Sequence, residues 1–225
     1  MSRQVLVVAA HPDDELLGLG GTVARHVSQD DRVTFAILAD ASSVRYENET
    51  MKTVRRCALE AAHRLGVADV RFAGMPDQRL DVAPIIEITQ WIEGVLREVH
   101  PQIVYTHHRG DINRDHRVVH EGVLTAARPY SATYLERILC FETPSSTEWS
   151  GPYVDDSFIP NVFVDITSHL ERKLSAMSAY STELRSFPHP RSLEALGARA
   201  AHWGTLIGVT AAEPFMLVRE VQREE

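Results

Sequence analysis

Five consecutive residues near the start of the chain, His11-Pro12-Asp13-Asp14-Glu15, bring an imidazole and three carboxylates into one short turn. Imidazole nitrogen and carboxylate oxygen are donors suited to zinc, and Pro12 stiffens the turn so that His11 and Asp14 can face one point. Asp13, between them, is directed elsewhere, and a free carboxylate beside a metal is what a general base for water requires. A simpler reading fits the same stretch: acidic residues at the start of a helix meet the positive end of its dipole. Taken alone, the turn does not choose between metal binding and capping.

A second polar cluster, His107, His108, Asp111, Asn113, Asp115 and His116, bears on that choice. The elements that must position both clusters are legible. Residues 4–10 are almost continuously apolar, as in a strand buried on both faces of a parallel sheet. Residues 16–29 then carry Leu16, Leu17, Val23 and Val27 at helical spacing. The alternation continues with a strand at 31–38, a loop at 39–49, and a helix at 50–65 with a Glu60–Arg64 pair and Gly66 as its cap. A short strand at 69–73, a turn at 77–81, a helix at 84–99 and a strand at 103–105 follow, with His107 and His108 leaving that last strand. Such alternation predicts an α/β fold, a Rossmann-like, mostly parallel sheet flanked by helices. Its first and fourth strands can be neighbours at the switch point, where both clusters would meet. Two His/Asp-rich strand ends in one chain are hard to explain as helix caps alone.

Beyond a helix at 116–127 the pattern is less regular. Strands are expected at 137–141 and 161–165, separated by a long loop carrying Trp149, Tyr153 and Phe158, whose rings could stack on a sugar or simply pack. A helix at 165–182 with Thr167 as N-cap, a helix at 193–206 after Ser192, and a strand at 215–218 complete the chain. The 225 residues are read as one domain, 1–225.

Composition excludes several classes. A net charge of −8 without clustered Lys and Arg argues against nucleic acid. No segment approaches the roughly 20 apolar residues that span a bilayer, and the N-terminal apolar run is too short for a signal peptide. Cys57 and Cys140 are expected to be buried thiols, and a cytoplasmic location is expected. Gly18-Leu19-Gly20-Gly21 lacks the dinucleotide spacing. Oligomeric state is open, and a homo-oligomer is compatible with the sequence.

The two motifs together, His11 to Glu15 after an apolar strand and Asp111-x-Asn113-x-Asp115-His116 after a later one, resemble the LmbE-like (PIG-L) family of zinc-dependent de-N-acetylases. The order of elements, His189-Pro190-Arg191-Ser192 and Ala212-Glu213-x-Phe215 are similar to that family as well. The resemblance implies a zinc (Zn2+) enzyme with ligands His11, Asp14 and His116 and with Asp13 as general base. It would remove the acetyl group of an N-acetylglucosamine-type sugar or conjugate as acetate. Where many members have a histidine that stabilises the oxyanion, this chain has Asn113; either Asn113 serves, or His107 or His108 reaches in. Asp115 would then orient a metal ligand or bind substrate. Arg45, Asp111, His189 and Arg191 are candidates for substrate contact or for support of the ligands, whereas Arg55 and Arg56 are read as solvated helix charges. Glu213 either reaches the site or pairs with an arginine. His26, His63, His100, His120, His169 and His202 are read as surface or packed residues. The alternatives to deacetylation of an amino sugar are a metal-dependent amidase for another N-acyl group and a non-catalytic sugar- or nucleotide-binding protein.

Overall fold

The N-terminal apolar run forms β1 (Gln4–Ala9), in which Val5, Leu6, Val7, Val8 and Ala9 have no exposed surface. The computed structural model describes residues 2–40 and 48–224. Strands β2 (Arg32–Asp40), β3 (Asp69–Pro76), β4 (Ile103–His107) and β5 (Arg137–Phe141) alternate with helices α1 (Asp14–Ser28), α2 (Asn48–Leu65), α3 (Ile85–Val99) and α4 (Arg114–Ala126). β6 (Val162–Asp165), α5 (Leu170–Met177), α6 (Leu193–Ile207) and β7 (Ala212–Glu220) complete the described strands and α-helices. The sheet has seven strands in the order β3-β2-β1-β4-β5-β7-β6. The first five strands pair in parallel, and β7 runs antiparallel to both β5 and β6.

Because side chains alternate across a strand, β1 feeds two cores. Val5, Val7 and Ala9 pack with Leu16, Leu17, Ala58 and Leu65 from α1 and α2. Leu6 and Val8 pack with Ile88, Ile92, Val119 and Val123 from α3 and α4. β1 lies between β2 and β4, so the turn after β1 and the turn after β4 open side by side at the carboxyl end of the sheet.

α1 is not a continuous helix. Leu19 has φ −147° and ψ 23°, which breaks the ladder of main-chain hydrogen bonds. The groups released are taken by a buried ion pair: Lys173 Nζ donates to Leu17 O at 3.0 Å and to Glu213 Oε1 at 2.6 Å. Glu213 in turn accepts from Gly21 N at 3.0 Å and Thr22 N at 2.6 Å. Glu213 therefore neither reaches the polar clusters nor pairs with an arginine; its partner is Lys173. Glycine lets the broken helix lie close against its neighbours, since a Cβ on Gly18 would stand 2.4 Å from a ring carbon of Phe141.

Several expected elements change length. β4 extends to His107 because Thr106 and His107 pair with Cys140 and Phe141. β3 extends to Pro76 through pairing with Asp40, and β7 is much longer than expected because β5 and β6 both pair with it. The helix expected over 165–182 is confined to α5. Asp165 remains in β6, its Oδ1 accepting from Thr167 N at 2.9 Å, and His169 rather than Thr167 stands at the helix N-terminus. Both cysteines are buried thiols, and among the described residues no helix is long and apolar enough to cross a membrane.

The ion pair inside the break of α1 makes a quantitative demand. Lys173→Met is expected to destabilise the fold by about 3–5 kcal/mol, because it leaves Glu213 buried without its cation; a loss below about 1 kcal/mol in urea unfolding would contradict this role.

Candidate active site

β1 delivers His11 and Asp14, and α4 delivers His116, to a common point. His11 Nδ1 lies 3.2 Å from Asp14 Oδ2, His116 Nε2 lies 3.3 Å from the same oxygen, and the two nitrogens are 3.3 Å apart. These three residues form a group able to hold a metal ion. A second group of that kind, His11, Asp77 and Asp115, uses the far side of the same imidazole.

Carboxylates stand behind both rings. Asp111 Oδ2 is 3.1 Å from His116 Nδ1, while Asp115 Oδ2 and Asp77 Oδ1 lie 3.0 and 3.2 Å from His11 Nε2. Asp111 is itself held by Asn113 N at 2.8 Å, by Thr147 Oγ1 at 2.7 Å and by Ser146 Oγ. Leu80 N donates to Asp115 Oδ1 at 3.0 Å. Burial lowers the pKa of an imidazole, yet hydrogen bonds to Asp115 and Asp14 and the charges of Asp14 and Asp77 outweigh it, raising His11 to about 10. Against the same effect of burial, Asp14 and Asp111 bring His116 to about 9. The surroundings thus favour positive charge at this point, whether protons or a metal ion that displaces them.

His107 is a structural neighbour of the cluster rather than a lining residue. It is fully buried and stacks on His116 with ring centroids 3.9 Å apart. Its Nε2 accepts from Ala10 N at 2.8 Å, so the proton of the neutral ring sits on Nδ1, 3.1 Å from Thr143 Oγ1. Burial, with His116 adding to it, lowers His107 to about 4. His108 turns away altogether: its Nε2 bonds to Asp156 O at 2.8 Å and its ring meets Phe158. Neither ring lines the cavity: His107 is held in β4 with its Nε2 3.4 Å from Asp14 Oδ2, and His108 is buried against the turn that carries Asp156.

Asp13 has φ 112°, a conformation uncommon outside glycine. Its N–H is held by Glu15 Oε2 at 3.0 Å, and Glu15 Oε1 accepts from Tyr180 Oη at 2.5 Å. Asp13 makes no side-chain capping bond to α1, while Asp14 and Glu15 occupy the first turn of that helix. Burial pushes the Asp13 carboxyl well above the ordinary carboxylate range. Arg191 pulls against that rise, while Asp14 and Glu183 add to it. Arg191 Nη1 lies 2.9 Å from Asp13 Oδ2, and its Nε donates to Ser145 Oγ at 2.7 Å.

A cavity of about 400 Å³ opens over this cluster, lined by His11, Asp13, Asn113, His189 and Arg191 among others. Asn113 is the N-cap of α4, its Oδ1 accepting from Asp115 N at 3.0 Å. That bond fixes the amide orientation and leaves the NH2 end as the donor. His189 accepts the Arg191 N–H at Nδ1, at 3.1 Å. Arg45 lies outside the described residues. Arg55 does not line the cavity, its guanidinium standing 4.2 Å from the centroid of Phe72.

Sequence reasoning missed Asp77, Gln78, Glu183 and Arg185, which also line the cavity. Asp77 gave no signal in the sequence, because the strand pattern stops before Gly74 and the residue reads as part of a turn. Glu183 and Arg185 had none, because the chain at that point reads as the end of a helix.

Comparison with known proteins identifies the family of the chain. The family model described as PIG-L, GlcNAc-PI de-N-acetylase, matches residues 6–127. A probable N-acetyl-alpha-D-glucosaminyl L-malate deacetylase 2 of Bacillus cereus is 30% identical over 192 residues, covering 81% of this chain and 84% of the relative. A 1D-myo-inositol 2-acetamido-2-deoxy-alpha-D-glucopyranoside deacetylase of Saccharopolyspora erythraea is 28% identical over 244 residues, covering 81% of this chain and 78% of the relative. The crystal structure of the conserved protein TT1542 from Thermus thermophilus superposes with a TM-score of 0.78 at 26% identity, covering 99% of this chain and 97% of that one. With its first motif and its second both inside the matched segment, the chain belongs to the PIG-L, or LmbE-like, family.

Proposed function

We propose that this protein is a zinc-dependent N-deacetylase that hydrolyses the acetamide of an N-acetylglucosamine-type sugar or sugar conjugate, releasing acetate and a free amine. The observation that carries the proposal is the triangle of His11 Nδ1, Asp14 Oδ2 and His116 Nε2, with sides of 3.2–3.3 Å, beside a cavity that His11 and Asp13 line. Donors about 2.0–2.1 Å from a tetrahedral zinc lie about 3.3 Å from one another, so the donor set fits that ion. Three protein ligands leave the open position that a catalytic zinc needs. The activities of the Bacillus and Saccharopolyspora relatives support the substrate class.

When bound, zinc would supply Lewis-acid polarisation of the amide carbonyl and acidify water. The remaining work falls to the chain. Asp13 takes the proton from the attacking water and returns it to the departing nitrogen, so that one carboxyl serves as base and then as acid. The Arg191 guanidinium and the hydrogen bond from Asp13 N to Glu15 keep that carboxyl in place. Asn113, with its oxygen committed to the α4 cap, offers the NH2 donor to the oxygen that gains charge. Asp111 and Asp115 orient the rings of His116 and His11.

Two sets of measurements test these assignments. Purified protein is expected to carry zinc that His116→Ala loses. Asp13→Asn is expected to keep zinc while slowing acetate release by about 100-fold or more; retained activity in Asp13→Asn, or unchanged zinc in His116→Ala, would reject the assignment. Asn113→Asp keeps a capping oxygen and removes the donor, so kcat is expected to fall by about 100-fold. An unchanged kcat in that variant would remove Asn113 from the reaction.

A further inference from the structure

One wall of the cavity is not used by the chemistry described above. Trp149 lines the cavity and is 53% exposed, although it is a large apolar side chain among charged neighbours such as Asp13, Asp77, Arg185 and Arg191. His189 stands edge-on to it, with ring centroids 6.1 Å apart and planes at 84°. Because His189 Nδ1 accepts the Arg191 N–H, the proton of the neutral ring is on Nε2, which makes that nitrogen a donor.

The turn that carries Trp149 is built rigidly. Thr147 Oγ1 and Ser146 Oγ donate to Asp111, the carboxylate behind His116. Glu148 accepts from Ser145 N at 2.8 Å and Ser146 N at 3.1 Å, and Trp149 N donates to Ser146 O at 3.2 Å. The main chain that presents the indole is thus already ordered, and little of its freedom is lost when a ligand covers the ring.

We propose that Trp149 and His189 form the subsite for the pyranose ring of the substrate. The ring's C–H face lies on the indole, and one of its hydroxyls accepts from His189 Nε2. A pyranose combines an apolar face with a polar rim, and the indole face beside an N–H donor complements both. The choice of ligand rests on the amino-sugar reading above. The subsite assigns Trp149 and His189 to ring recognition and not to bond cleavage.

The test uses methyl 2-acetamido-2-deoxy-β-D-glucopyranoside with the purified full-length protein, reading binding by calorimetry and indole fluorescence, and acetate release in parallel. Trp149→Ala is expected to raise Kd and KM about tenfold, with kcat and zinc content unchanged and with recovery in Trp149→Phe. His189→Gln, which retains an N–H donor, is expected to bind more tightly than His189→Ala. Equal binding by the wild type and Trp149→Ala would overturn the subsite, and if acetate were still released the deacetylase reading would survive. Binding that depends on Trp149 without acetate release would uphold the subsite and overturn the deacetylase reading. Neither binding nor release by the wild type would overturn both.

Discussion

A carboxylate withdrawn from water costs several kcal/mol unless positive charge or hydrogen-bond donors meet it, and four of them converge here on two imidazoles. Asp14 touches both rings, Asp111 stands behind His116, and Asp77 and Asp115 stand behind His11. This excess of buried negative charge is the constraint on which the site depends. It is relieved by protonating the histidines or by placing a divalent cation among His11 Nδ1, Asp14 Oδ2 and His116 Nε2. The donors from Thr147, Ser146, Asn113 and Leu80 hold the outer carboxylates still, so that ring orientation is set before any ligand arrives.

The same constraint explains the scaffold behind the site. Asp13 and Asp14 begin α1, and a rigid seat for them requires that α1 lie flush on the sheet. Gly18 permits the approach to Phe141, and the break at Leu19 follows the packing rather than the helical ladder. Lys173 from α5 and Glu213 from β7 then bond the released main-chain groups. The irregular C-terminal part of the chain is thus tied to the first turn. Tyr180 does the same through Glu15, which holds the Asp13 N–H.

Much of this was legible in residue order. The apolar run at 4–10 and the later run before His107 predicted neighbouring parallel strands, and β1 pairs with β4. The clusters that they deliver meet at the carboxyl end of the sheet. What stayed hidden was decided by pairing across the chain. His107 reads as an exit from β4, yet pairing with Phe141 keeps it in the strand and buries it. Asp77 reads as part of a turn because the strand pattern stops before Gly74, whereas pairing with β2 carries the strand on to Pro76. Glu213 finds a lysine far away in sequence, a partner that no local spacing indicates. Asn113 was recognised as a departure from the family pattern, but its fixed amide became clear only with the cap it makes to α4.

We assign the positive charge demanded by this cluster to a zinc ion on the Nδ1 side of His11. X-ray diffraction from zinc-loaded crystals, collected on both sides of the zinc absorption edge, tests it most directly. An anomalous peak is expected, enclosed by His11 Nδ1, Asp14 Oδ2 and His116 Nε2. A peak between His11 Nε2, Asp77 and Asp115, or none near His11, would contradict it.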